Sequence, residues 1–165
     1  MAVYSIKTVQ KIPQDPGKIW NYFSRPDNLQ QLTPSHLGFH ILSVYHGEAM
    51  YPGQIIEYKI RPVLGIPVYW MTEITHVEQG RFFVDEQRYG PYKMWHHQHH
   101  FKAIEGGVEM TDIIHYKIPF AFVGSIANSL FVKNQLSQIF TYRFKKAEEI
   151  FGQWPGGQAV DIVFR

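Results

Sequence analysis

From Phe39 to Ile118 the chain falls into six consecutive segments whose apolar residues alternate with polar ones. Alternation of period two is the signature of a strand with one face buried. The segments run over 39–45, 54–61, 68–77, 81–88, 93–104 and 108–118. Their connections carry turn residues: Tyr51-Pro52-Gly53, Leu64-Gly65-Ile66-Pro67, Gln79-Gly80, Gly90-Pro91 and Glu105-Gly106-Gly107. Connections this short join antiparallel neighbours. With a first strand at Val3–Lys11, the pattern predicts a seven-stranded antiparallel meander.

Two helical stretches flank that meander. Asp15-Pro16-Gly17 reads as a helix start, with Asp15 as the cap and Pro16 at the first helical position. Ile19, Trp20 and Phe23 form its apolar stripe, and a second short helix is expected over Asn28–Leu32. Residues 125–151 contain neither Gly nor Pro, and Val132, Leu136, Ile139, Phe140, Ala147 and Ile150 recur at helical spacing. That helix spans roughly 40 Å, enough to cross a twisted sheet. The expected class is therefore α+β, a curved seven-stranded sheet wrapped around a long C-terminal helix. Two short helices lie between strands 1 and 2. Residues 1–151 make the domain, and 152–165 form a tail with one strand-like patch, Ala159–Phe164. Three fates are open to the patch: disorder, pairing with a sheet edge, or packing on a second copy. A sheet curved around a helix leaves a hollow that side chains or a ligand must fill.

The segment Lys93–Ile104 packs four of the nine histidines into twelve residues. As a strand it puts Trp95, His97, His99 and Phe101 on one face and Met94, His96, Gln98, His100 and Lys102 on the other. Rings and imidazoles sharing one surface suit a cavity wall. If Glu105-Gly106 is a two-residue turn, Lys102 faces Glu109, Phe101 faces Met110, His99 faces Asp112, His97 faces Ile114 and Trp95 faces Tyr116. Asp112 is then the one carboxylate in an apolar inner row. Burying it without a partner costs several kcal/mol, and His99 is placed to be that partner.

The expected ligand-binding surface is Trp70, Trp95, His97, His99, Phe101, Met110 and Tyr116. His97, His99 and Asp112 are the candidate acid/base groups, with Glu86 on the preceding strand as a further carboxylate. The competing reading is a satisfied polar pair that fixes register in a closed core. Metal binding through His97-x-His99 requires a third ligand, for which only Asp112 or Glu86 is at hand, so no metal and no cofactor is expected. On the opposite face His96, His100 and His115 cluster, and they suit adventitious nickel or zinc.

With no cysteine, disulfides, thiolate metal sites and a cysteine nucleophile are excluded. A net charge of +2 with dispersed Lys and Arg is not the one-sided basic footprint of a nucleic-acid binder. The densest basic run, Arg143–Lys146, is followed at once by Glu148 and Glu149 and reads as a solvated helix face. No secretory leader and no membrane-spanning run is evident, so a soluble cytoplasmic protein is expected. The tail or a sheet edge could pair two copies or recruit another partner, and the sequence does not fix the oligomeric state.

Several motifs match a known superfamily. They are Leu32-Thr33-Pro34, Gly65-Ile66-Pro67 followed by Trp70, Phe83-Val84-Asp85-Glu86-Gln87, Gly90-Pro91-Tyr92 and Trp95-x-His97-x-His99-x-Phe101. Thr111-Asp112 with Tyr116 and Pro119, and Phe140-x-Tyr142-Arg143, complete the set. Over roughly residues 1 to 151 the chain resembles the START-like helix-grip (SRPBCC) superfamily of pollen-allergen-like carriers, lipid-transfer domains and polyketide cyclases. Within it, the chain is most similar to a branch of small bacterial proteins of unassigned function. The resemblance implies the helix-grip fold and an internal cavity for a hydrophobic small molecule, such as a lipid, an aromatic polyketide-like compound or an isoprenoid. A cofactor-independent cyclase or dehydratase, and a non-catalytic interaction module, are the alternatives it also allows.

Overall fold

The computed structural model describes residues 2–43, 49–63, 66–119 and 127–165. Strand β1 (Tyr4–Ile12) leads into helix α1 (Pro16–Phe23) and two 3-10 turns, Pro26–Gln30 and Ser35–Leu37. Strands β2 (His40–Ile41), β3 (Gln54–Val63), β4 (Ile66–Glu78), β5 (Phe82–Tyr89), β6 (Met94–Ile104) and β7 (Gly107–Lys117) follow, then helix α2 (Ala127–Phe151) and a last strand, β8 (Asp161–Phe164). All the pairings are antiparallel, in the order β2-β3-β4-β5-β6-β7-β1-β8.

The helix-grip expectation holds, and the tail adds an eighth strand to the predicted seven. Of its three open fates, the tail takes the sheet edge: Ile6 pairs with Phe164 and Val9 with Asp161. The Gln158 side chain extends the match, accepting from Lys11 N at 2.8 Å and donating to Lys11 O at 2.7 Å. It thereby satisfies an edge backbone pair in the manner of a neighbouring strand. Ile162 and Phe164 pack against the cluster of Ile6, Ile114 and Tyr116.

Local chemistry explains the boundaries. The Asp15 side chain accepts from Lys18 N at 3.1 Å and caps α1, whose Ile19, Trp20 and Phe23 are buried. The second short helix is a 3-10 turn that begins earlier than predicted, because Pro26 sets its first φ. The predicted second strand is seen only at His40–Ile41; residues 44 and 45 lie outside the described residues, as do the turn residues 64 and 65 and the helix start at 125 and 126. Between β6 and β7, Gly106 has φ +81°, and a Cβ at Gly107 would stand 2.1 Å from the Ile12 carbonyl oxygen. Only glycine fits both needs. The turn they make fixes the predicted register across the whole hairpin, from Ile104 opposite Gly107 to Trp95 opposite Tyr116.

Leu136, Phe140, Phe144 and Ala147 form the buried stripe of α2. Two regions of core result. At one end Trp20 and Phe23 of α1 meet Phe83, Phe101 and Met110. At the other, Leu136 and Phe140 meet Ile6, Ile114 and Tyr116.

Candidate functional site

Adjacent strands bring four titratable side chains to one spot on the inner face of the sheet. His97 and His99 alternate on β6, Asp85 pairs directly with His97 across β5, and Asp112 pairs directly with His99 across β7. The two imidazoles lie 3.7 Å apart between ring centroids, tilted by 37°. Asp112 Oδ1 is 2.8 Å from His99 Nδ1 and 3.0 Å from His97 Nε2. On the opposite side, Asp85 Oδ2 is 2.8 Å from His99 Nε2 and 3.5 Å from His97 Nδ1. Each carboxylate thus faces both rings, and each ring faces both carboxylates.

Arg143 of α2 completes the group. Its Nη2 stands 3.4 Å from His99 Nδ1 and 4.0 Å from Asp112 Oδ1, and its guanidinium lies over the Phe23 ring. Phe83 stacks on His99 at 4.1 Å. His97, His99 and Asp112 are each 5% exposed or less. At that depth an unpaired charge is costly, so the protonation states are set by the partners.

Burial works against ionising Asp112, but the Arg143 charge and the hydrogen bonds from His97 and His99 hold its carboxyl well below the usual range. Asp85 is lowered too: burial opposes its charge, and His97, His99 and Arg143 outweigh it. For His99, burial is overcome by hydrogen bonds to Asp112 and Asp85, and its pKa rises. Burial and the neighbouring His99 charge push His97 down to about 4. The distances agree with that division. A charged His99 donates at 2.8 Å to both carboxylates, while a neutral His97 donates through Nε2 and leaves Nδ1 at 3.5 Å from Asp85.

The cluster borders a cavity of about 420 Å³ between the sheet and α2. Asp85, His97, His99 and Arg143 contribute its polar wall. Trp70, Tyr92 and Trp95 line it as a set of mutually packed rings 4.9–5.6 Å apart, with Trp95 in edge contact with His97 at 6.1 Å. Leu136, Ile139 and Phe140 close it from the helix.

Several expected site residues lie elsewhere. Glu86 is on the outer face of the sheet, 2.9 Å from His96 Nδ1 and 3.2 Å from Arg88. The carboxylate that β5 contributes to the cluster is its neighbour Asp85. Phe101 and Met110 share the inner row but belong to the packed core under α1, where Trp20 and Phe23 fill the space a ligand would need. Tyr116 is 1% exposed and wedged between Tyr4 and Tyr92. Asp112 sits behind the imidazoles instead of on the cavity wall, its Oδ2 accepting from Thr8 Oγ1 at 3.4 Å. Arg143 does not share the solvated face expected of the basic run; it turns inward to the cluster.

No family model and no curated protein matches this chain. Solved structures do. A START superfamily protein from Mycobacterium smegmatis is 10% identical, with a TM-score of 0.66 over 89% of this chain and 99% of that one. TTHA0849 from Thermus thermophilus is 14% identical, with a TM-score of 0.63 over 88% and 94% of the two chains. Ara h 8.0201 is 14% identical, with a TM-score of 0.59 over 90% and 99%. The chain therefore has a START-like helix-grip fold, as its motifs indicated.

Proposed function

We propose that the protein binds a hydrophobic small molecule in the cavity between the sheet and α2. One observation carries this: a space of about 420 Å³, walled by aromatic and aliphatic side chains, meets a compact set of polar groups along one side. Ligand sites are mostly apolar hollows of this size with a few convergent polar groups that fix orientation. Trp70, Tyr92 and Trp95 supply flat apolar surface for an aromatic or isoprenoid skeleton, and His97 Nδ1 can accept a hydrogen bond from a hydroxyl of the ligand. Among the described residues no helix is long and apolar enough to cross a membrane; the cytoplasmic location expected from the sequence is part of this proposal.

Native mass spectrometry of the protein purified from its own host tests this. A co-purified apolar compound of defined mass is the expected result. Repeated recovery of bare protein, together with no binding of added lipids, polycyclic aromatics or isoprenoids, contradicts it.

A second reading has its own support in the buried, mutually shifted pair His97 and His99. Two buried imidazoles whose pKa values are pushed in opposite directions, beside a mostly apolar cavity, suit proton shuttling in a cyclase or dehydratase reaction, with Asp112 and Asp85 setting their charge. Under that reading His97→Ala keeps ligand affinity and loses turnover. Under simple carriage the same variant dents affinity and there is no turnover to lose.

A further inference from the structure

Three of the four carboxylate–imidazole contacts are of hydrogen-bond length, 2.8–3.0 Å, and the fourth, His97 Nδ1 to Asp85, is longer at 3.5 Å. On the Asp85 side a metal ion would need to displace at most one further proton, that on His99 Nε2. The nitrogens facing Asp112, His97 Nε2 and His99 Nδ1, would keep their protons and donate to that one oxygen. The nitrogens facing Asp85, His97 Nδ1 and His99 Nε2, would then be lone pairs. Asp85 Oδ2 is 2.8 Å from His99 Nε2 and 3.5 Å from His97 Nδ1, and one ring nitrogen of each histidine and an Asp85 oxygen all lie within 4.8 Å of one another.

We propose that Asp85, His97 and His99 form a binding site for a divalent transition-metal ion of the zinc, cobalt or iron(II) class. Two imidazoles and one carboxylate are ligands this class accepts, and three protein ligands leave coordination positions open. Imidazole ligands usually donate their second ring N–H to a carboxylate that orients them, and Asp112 receives both at 2.8 and 3.0 Å. Arg143 stands 4.0 Å from the same Asp112 oxygen, a positive charge beside the carboxylate that orients both rings. The sequence offers a His-x-His pair but conceals the third ligand, because it leaves the facing of β5 open. All three ligands border the cavity, so the open positions are available to a ligand oxygen. The site itself does not depend on what the cavity carries.

Titration of the chelator-treated full chain with cobalt(II) tests the proposal, read by the visible d–d absorption of the bound ion. The expected result is one equivalent bound, unchanged in a His96→Gln/His115→Gln variant that disarms the outer face. Asp85→Asn and His99→Gln should each weaken it by more than about 100-fold, and Asp112→Asn by about 10- to 100-fold. If the inner variants fail to fold, paramagnetic shifts in the wild-type protein decide instead: ring protons of His97 and His99 should move most. Failure of the wild type to bind a stoichiometric equivalent, or binding that follows His96 and His115, overturns the site. Uptake of an apolar probe by the chelated protein reports separately on the cavity, so either idea can fail alone.

Discussion

The two faces of β6 carry nearly the same chemistry and put it to different use. Outward, His96 pairs with Glu86 at 2.9 Å, Gln98 lies between His96 and His100, and His115 sits across on β7, all partly open to water. Inward, His97 and His99 lock to Asp85 and Asp112 with almost no exposure. The residue types match; the dielectric does not. Exposed pairs contribute little because water screens them, whereas the inner four, with Arg143 beside them, fix each other's charge because water is largely kept out. A histidine count locates neither site nor function until the strand's facing is known.

The largest expected contrast between the faces is in stability. Asp112→Ala removes the acceptor shared by both inner rings and should cost about 3–5 kcal/mol in urea unfolding. Glu86→Ala, which takes the corresponding carboxylate from the outer ring, should cost less than about 1 kcal/mol. Equal losses would erase the distinction. Deleting residues 153–165 bares the β1 edge and strips the partly buried Ile162 and Phe164 from the core, for a loss of about 2 kcal/mol. A truncated chain as stable as the full one would show that β8 only decorates the edge. The smallest effect should come from His96→Ala/His115→Ala, whose unfolding free energy is expected to stay within about 0.5 kcal/mol of the parent.

Leu136→Trp probes the inner face from the helix side. Leu136 borders the cavity and is 2% exposed, so the larger ring should occupy ligand space and lower affinity for a polycyclic aromatic probe by about tenfold or more, the cost of overfilling a packed site. Unchanged affinity, measured by fluorescence titration, would place the ligand elsewhere.

How much of this was legible in the sequence depended on how tightly each connection constrains parity. Glu105-Gly106 is a two-residue turn, so the β6–β7 register and the His99–Asp112 pair followed from counting. The link from β5 to β6 is longer, and β5 meets β4 through two irregularities, so counting could not decide between Asp85 and Glu86. A signal existed: Glu86 and Arg88 are two apart, hence on one face, with opposite charges, as befits the solvent side. Arg143 was hidden by its basic neighbours, yet it stands three residues after Phe140 and four before Ala147, on the buried stripe of α2. Phe101, Met110 and Tyr116 take the inner face that alternation predicts but lie in packed core, because alternation says which side a residue takes and not what plugs the space above it. The pairing of β8 with β1 joins opposite ends of the chain, and no local pattern specifies such a partner.

A map of chemical-shift changes, recorded as an apolar aromatic probe is added to isotope-labelled protein, puts the inner cavity to its hardest test. Saturable shifts at Trp70, Trp95 and His97 are predicted, with His96, His100 and His115 unmoved. Shifts confined to the outer histidines, or none at the inner face under saturating probe, would contradict binding beneath α2.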